Sequence, residues 1–195
     1  MKPSFQSGTS AGFLAGFRLF LPWGLALVLL LLVWPARMER TTGEEIDAKR
    51  YRLKTELLVD ALDRNMASSQ TIEEKEINAH LRELVAAQPP RRGFAARLED
   101  AAVRLAAGQA TAFVAIGRGP LTLTAAIYAQ PRGARLEITG AKAGHLPLPG
   151  FLGRLYVRTQ RGLFRQLANE ARIVRNLDQL VIGDGVLELA TKSGN

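Results

Sequence analysis

The sequence predicts an α+β fold: an amino-terminal transmembrane helix, then helices and an antiparallel sheet packed on one long amphipathic helix. Three observations predict it. A run from Leu19 to Trp34 lies between Arg18 and Arg37 with no ionisable side chain. Residues 98–140 alternate apolar and polar positions between turn signals, and residues 151–174 return to a helical period with arginines gathered on one side. The expected division is a disordered tail over 1–17, a transmembrane helix over 18–36, a charged juxtamembrane stalk over 37–70 and an α+β domain over 71–195.

The span comes first. About 18 apolar residues at about 1.5 Å each reach about 27 Å, close to the hydrocarbon thickness of a bilayer. Leu19, Trp23, Leu29, Leu32 and Trp34 are the expected anchor residues, with the indoles at the headgroup layer. A signal peptidase would face Trp34, Pro35 and Ala36 before its cut, and a bulky Trp beside a Pro suits it poorly, which favours an uncleaved signal-anchor. Lys2 and Arg18 precede the run while Arg37, Arg40, Lys49, Arg50, Arg52 and Lys54 come after it, a balance that taken alone holds the domain in the cytoplasm. Long domains cross largely regardless of charge, and a short amino-terminal anchor exports the domain behind it, so an extracytoplasmic domain is expected.

Composition narrows the rest. Once anchor and stalk are set aside, about 105 to 125 residues remain, enough for one domain with its own core. Cysteine is absent, which removes disulfides, thiolate nucleophiles and cysteine-ligated zinc. The net charge of +8, from 26 Lys and Arg against 18 Asp and Glu, favours anionic partners, and for a tethered domain these are lipid headgroups or acidic glycans.

Beyond the span, Ile46, Leu53, Leu57, Leu58, Ala61, Leu62 and Met66 mark a helix over 42–66 with one apolar stripe. Such a helix covers the core or contacts a partner. At Thr71 a capping box with Glu74 predicts the start of a second helix, whose buried face is Ile77, Leu81, Leu84 and Val85 and which stops at Pro89.

Four strands follow in a meander, separated by Ala107-Gly108, Gly117 to Pro120 and Pro131 to Gly133. In the clearest of them Leu121, Leu123, Ala125, Ile127 and Ala129 share a face. A one-sided sheet needs a cover. The expected cover is the helix over 151–174, reached through the extended residues 147–150. Leu152, Tyr156, Leu163, Leu167, Ala171 and Val174 lie on one side of it, with Arg154, Arg158, Arg161, Arg165 and Arg172 opposite. A hairpin closes the chain, Leu177 to Ile182 and Val186 to Thr191, turning at Gly183-Asp184-Gly185.

Residues that carry chemistry are sparse. His80 and His145 are the only histidines, and neither sits in a metal or triad motif. The carboxylates of the early helices, Asp60, Asp63, Glu73, Glu74 and Glu76, read as solvated helix faces. No glycine loop cradles phosphate. A non-catalytic protein with no cofactor and no metal is therefore expected. Nucleic acid is not an expected partner, since the arginines lack interleaved aromatics.

The segments Thr71-Ile-Glu-Glu-Lys-Glu-Ile-Asn-Ala-His-Leu81, Gly144-His-Leu-Pro-Leu-Pro-Gly150 and Leu180-Val-Ile-Gly-Asp-Gly-Val-Leu-Glu-Leu189 resemble, in that order, the YpmS-like family of membrane-anchored bacterial proteins. Glu74, Asn78, Leu81, Gly144, Pro147 and Pro149 occupy the matching places. That family pairs a single amino-terminal span with a helix, a sheet, a long helix and a final strand pair, and is similar to tubular lipid-binding folds. The resemblance implies a binding or scaffold role at the bacterial envelope, with membrane lipid as partner and an acyl chain between sheet and long helix. The groove would be Leu155, Tyr156, Leu163, Phe164 and Leu167 facing Leu121, Leu123 and Ile127. Arg154, Arg158, Arg161 and Arg165 would face anionic headgroups. The alternative is a structural subunit of a larger membrane-associated complex that contacts a protein partner through the juxtamembrane helix.

Overall fold

The computed structural model of the chain describes residues 26–28, 30–32, 40–88, 97–149 and 168–191. Helix α1 spans Glu45–Asp63, strand β1 Ser68–Glu73 and helix α2 Glu74–Ala86. Strands β2 (Arg97–Ala106), β3 (Gln109–Arg118), β4 (Leu121–Arg132), β5 (Arg135–Ala143) and β6 (Leu146–Leu148) follow, and then helix α3 (Ala168–Arg175) and strands β7 (Leu177–Ile182) and β8 (Val186–Thr191). The fold is α+β. Its strands form two antiparallel sheets, a five-stranded meander β2-β3-β4-β5-β6 and a three-stranded sheet β1-β8-β7.

The meander turns where the glycines allow it. Gly108, Gly119 and Gly133 hold φ of 76°, 62° and 63°, a left-handed conformation that a Cβ would strain. A fifth short strand, β6, forms where an extended connector is expected, pairing Leu148 with Ala141 and Leu146 with Ala143. The closing hairpin has its expected bounds, with Gly185 at φ 70°.

The second helix starts later than its sequence suggests. Residues 68–73 form a strand that pairs with β8 from Ser68↔Thr191 to Glu73↔Val186, and this ladder takes Thr71 out of the capping position. The capping box is built by the next candidate pair, with the Glu73 carboxylate on the N3 amide and the Glu76 carboxylate on the Glu73 amide. Long-range strand pairing has overridden a local pattern.

The core lies between α1, α3 and the three-stranded sheet. Tyr51 and Leu58 of α1, Ile72, Ile173, Leu177, Leu180, Ile182 and Leu189 pack together, joined by Leu105 from the end of β2. Backbone bonds fix that junction. The Gly108 amide donates to Ile182 O at 2.9 Å, the Gly185 amide to Leu105 O at 3.1 Å, and the Glu74 amide to Gly185 O at 2.8 Å.

The expected stripe of α1 divides in two. Ala48, Tyr51, Thr55, Leu58 and Ala61 are buried, at spacings of three and four, while Ile46, Leu53, Leu57 and Met66 are exposed. Tyr51 sets this rotation, because its ring joins the core and turns the Leu53 and Leu57 side away from it. On α2 the polar residues go inward: Glu74, Glu76 and Asn78 are buried, whereas Ile77, Leu81, Leu84 and Val85 are half-buried. At the other end of the chain Ile173 is buried and Val174 exposed, the reverse of the expected face.

Among the described residues no helix is long and apolar enough to cross a membrane. Of the anchor residues only Leu32 is described, half-buried in a helical segment; Leu19, Trp23, Leu29 and Trp34 lie outside the described residues. The expected tail over 1–17, the arginine face of Arg154, Arg158, Arg161 and Arg165, and the groove residues Leu155, Tyr156, Leu163, Phe164 and Leu167 also lie outside them.

Candidate functional site

Polar groups tie α2 into the domain. The Asn78 side-chain amide donates to Thr41 O at 3.0 Å and Val103 O at 2.9 Å, and its oxygen accepts the Val103 amide at 2.7 Å. One turn earlier the Glu74 carboxylate accepts the Leu105 amide at 2.7 Å and the Thr41 amide at 3.3 Å. Buried polar side chains at these positions satisfy strand-edge backbone groups that water cannot reach. The two residues therefore position β2 and the chain entering α1.

A second cluster joins the three helices. The Tyr51 ring stacks on His80, and its hydroxyl donates to the Glu170 carboxylate at 3.5 Å. Glu170 also lies 3.7 Å from His80 Nε2. Burial pushes the His80 pKa below its ordinary value, with the Glu170 charge opposing. Burial, followed by the same carboxylate, pushes the Tyr51 hydroxyl upward. Nothing in the sequence flags this triad, because its members stand on three separate helices far apart in the chain and match no motif. It holds α3 against α1 and α2, and His80 Nδ1 is buried without a hydrogen-bond partner among the described residues.

Among the described residues a groove of about 750 Å³ opens where the end of α1, the β4–β5 turn and the end of α3 meet. Such a volume falls in the range of small-molecule sites. Arg135, Arg172 and Arg175 line it together with Leu62, Leu136 and Val174. Arg172 is bound to the Asp63 carboxylate. The lining has cations, the amides of Asn65 and Asn176 and apolar walls, and no side chain that titrates near neutrality.

A smaller hollow of about 280 Å³ opens beside the β5–β6 turn, near Phe113, Tyr128 and Lys142. The ammonium of Lys142 lies 5.6 Å from the Tyr128 ring centroid. At this turn the His145 amide donates to the Leu31 carbonyl at 3.0 Å. Leu31 and Leu32 of the apolar run thus lie against the domain at Gly144 and His145.

Of the sequence-predicted groove residues, Ile127 is buried, while Leu121 and Leu123 at the start of β4 are exposed. The groove found between α1, α3 and the β4–β5 turn is a different place, and only Arg172 and Val174 of its lining belong to the helix that stands out in the sequence. Among the described residues no group of His, Asp and Glu could hold a metal ion. Comparison of the chain with protein-family models, curated proteins and solved structures finds no match.

Proposed function

We propose that the chain is a single-pass membrane-anchored, non-catalytic binding domain of the bacterial envelope, with its carboxyl-terminal domain outside the cytoplasm and lipid as its partner. One observation carries the reading: in the apolar run, Leu27, Val28 and Leu30 are helical and exposed, while the Leu31 carbonyl accepts the His145 amide. Exposed helical leucines with no charged neighbour between Arg18 and Arg37 suit hydrocarbon and not water. The resemblance to the YpmS-like family supports the same reading. The exposed Leu121 and Leu123 are apolar surface that an acyl chain would cover, together with the residues of 151–174. The test is alkaline carbonate extraction of membranes from cells making the full chain. The anchored form stays with the pellet at full length, and release of a chain trimmed beyond Trp34 would overturn the proposal.

A second reading is favoured by a separate observation, the exposed stripe of Ile46, Leu53 and Leu57 on the side of α1 away from the core. Exposed apolar side chains at these spacings suit a contact with another helix, as a subunit of a larger membrane-associated complex has. A photo-crosslinker at Leu53 tests it in cells: a product containing a second, different polypeptide supports the subunit, and self-products alone weigh against it.

A further inference from the structure

The two ends of the domain differ in what they meet. The β5–β6 turn, at Gly144 and His145, touches the apolar run, whereas the groove lies at the opposite end of β5, at Arg135 and Leu136. Nine residues of β5 at about 3.3 Å each put about 30 Å between them. Helix α1 agrees, since Arg40 just ahead of it pairs with Asp100 near the anchor end, and its 19 residues then run about 28 Å to Asp63 at the groove. The groove is therefore about 30 Å from the residues of the apolar run that touch the domain.

Its lining makes two demands at once. Arg135 and Arg175 are exposed and have no carboxylate partner among the described residues, and they share the groove with the Arg172 guanidinium already paired to Asp63. Two like charges, Arg135 and Arg175, beside the paired Arg172 attract an anion, and a planar guanidinium holds carboxylate or phosphate oxygens through paired hydrogen bonds. Beside them Leu136 and Val174 each stay 39% exposed, with Leu62 behind, so the groove also leaves apolar surface in water. An inorganic anion uses only the arginines. A neutral oil uses only the leucines.

We infer that the groove binds an anionic single-chain amphiphile, with a phosphate or carboxylate head at Arg135 and Arg175 and its apolar tail along Leu136, Val174 and Leu62. Given the distance from the anchor, it takes this ligand as a single molecule that has left the bilayer. The inference rests on the binding role proposed above and names the ligand class and its place.

The experiment uses the full chain in phosphatidylcholine nanodiscs, titrated calorimetrically with dodecyl phosphate, with the heat of empty nanodiscs subtracted. Saturable binding at one site per chain is expected. R135Q/R175Q should weaken it at least tenfold, as should L136N/V174N, while the thermal midpoint of each variant stays within a few degrees because all four side chains are exposed. Inorganic phosphate should bind at least tenfold more weakly than dodecyl phosphate, and dodecyl maltoside should show no saturable heat. Absence of saturable binding, or equal affinity in R135Q/R175Q, overturns the inference. Equal affinity for inorganic phosphate also overturns it, assigning the groove to free anions. Carbonate extraction does not depend on these residues, so an anchored chain that binds nothing and a binding chain that is not anchored are distinguishable outcomes.

Discussion

The ring of His80 stacks on that of Tyr51 with centroids 4.6 Å apart and planes 23° from parallel, and the carboxylate of Glu170 closes the cluster at 3.7 Å from His80 Nε2. Its pH response comes from burial, which disfavours the imidazolium and sets the folded pKa below the ordinary 6.5. Above that ordinary value both folded and unfolded imidazoles are neutral and the stacked arrangement keeps its full stability. As pH falls from there toward the depressed folded pKa, the unfolded chain takes up a proton that the native one refuses, and stability is lost. The urea midpoint is thus expected to fall between about pH 8 and about pH 5.5. H80F, which keeps a ring on Tyr51, should reduce that fall. Glu170 and Glu83 favour the imidazolium while Arg52 opposes it, so E170Q should deepen the loss at the acid end. An unchanged midpoint difference in H80F would remove His80 from the pH response.

The buried ion pair of Lys54 and Glu76 makes a sharper test of packing. Glu76 is 1% exposed, and Lys54 Nζ donates to both its carboxylate oxygens at 2.8 Å and to Thr71 O at 2.7 Å. The same carboxylate accepts the Glu73 amide at 3.0 Å, so it caps α2 while binding α1. K54M strands a buried carboxylate and should cost about 3–5 kcal/mol in urea unfolding. Adding E76Q neutralises the stranded group and keeps an oxygen for the Glu73 amide. The double variant should recover about 1 kcal/mol or more relative to K54M, a coupling that a double-mutant cycle reads directly. Additive losses would mean that the two side chains do not interact.

How far the sequence revealed this fold depends on the range of the interactions involved. The meander and the closing hairpin were legible because Gly108, Gly119, Gly133 and Gly185 adopt left-handed conformations that only local geometry demands. The start of α2 was not, since Thr71 and Glu74 satisfy a capping box locally while six ladder pairs with β8 decide otherwise. Periodicity likewise misread which sides are inward. Leucine counts favoured Leu53 and Leu57, but the packing of Tyr51 against His80 rotates α1 away from them. Glu74 and Glu76 read as a solvated face because a sequence shows polarity and not the amide of Leu105 or the ammonium of Lys54 that each will meet. The groove was hidden for the same reason, as Arg135 opens β5 and Arg175 ends α3, and only the fold brings them together.

The contact between the apolar run and the domain can be tested through one glycine, because the chain supplies its own control. Gly133 and Gly144 both adopt left-handed backbone, with φ of 63° and 55°. A Cβ at Gly133 would meet nothing within 4 Å, whereas one at Gly144 would collide with the carbonyl oxygens of Leu31 and Leu32. G133A should therefore cost only the conformational penalty, about 1–2 kcal/mol. G144A carries the same penalty and in addition pushes Leu31 and Leu32 off the β5–β6 turn, breaking the bond from the His145 amide to Leu31 O. Amide hydrogen exchange separates the two effects, since protection at His145 should drop in G144A and persist in G133A when both are compared in nanodiscs. Equal protection in the two variants would mean that the run does not rest on this turn, and the placement of the groove at the far pole from the anchor would go with it.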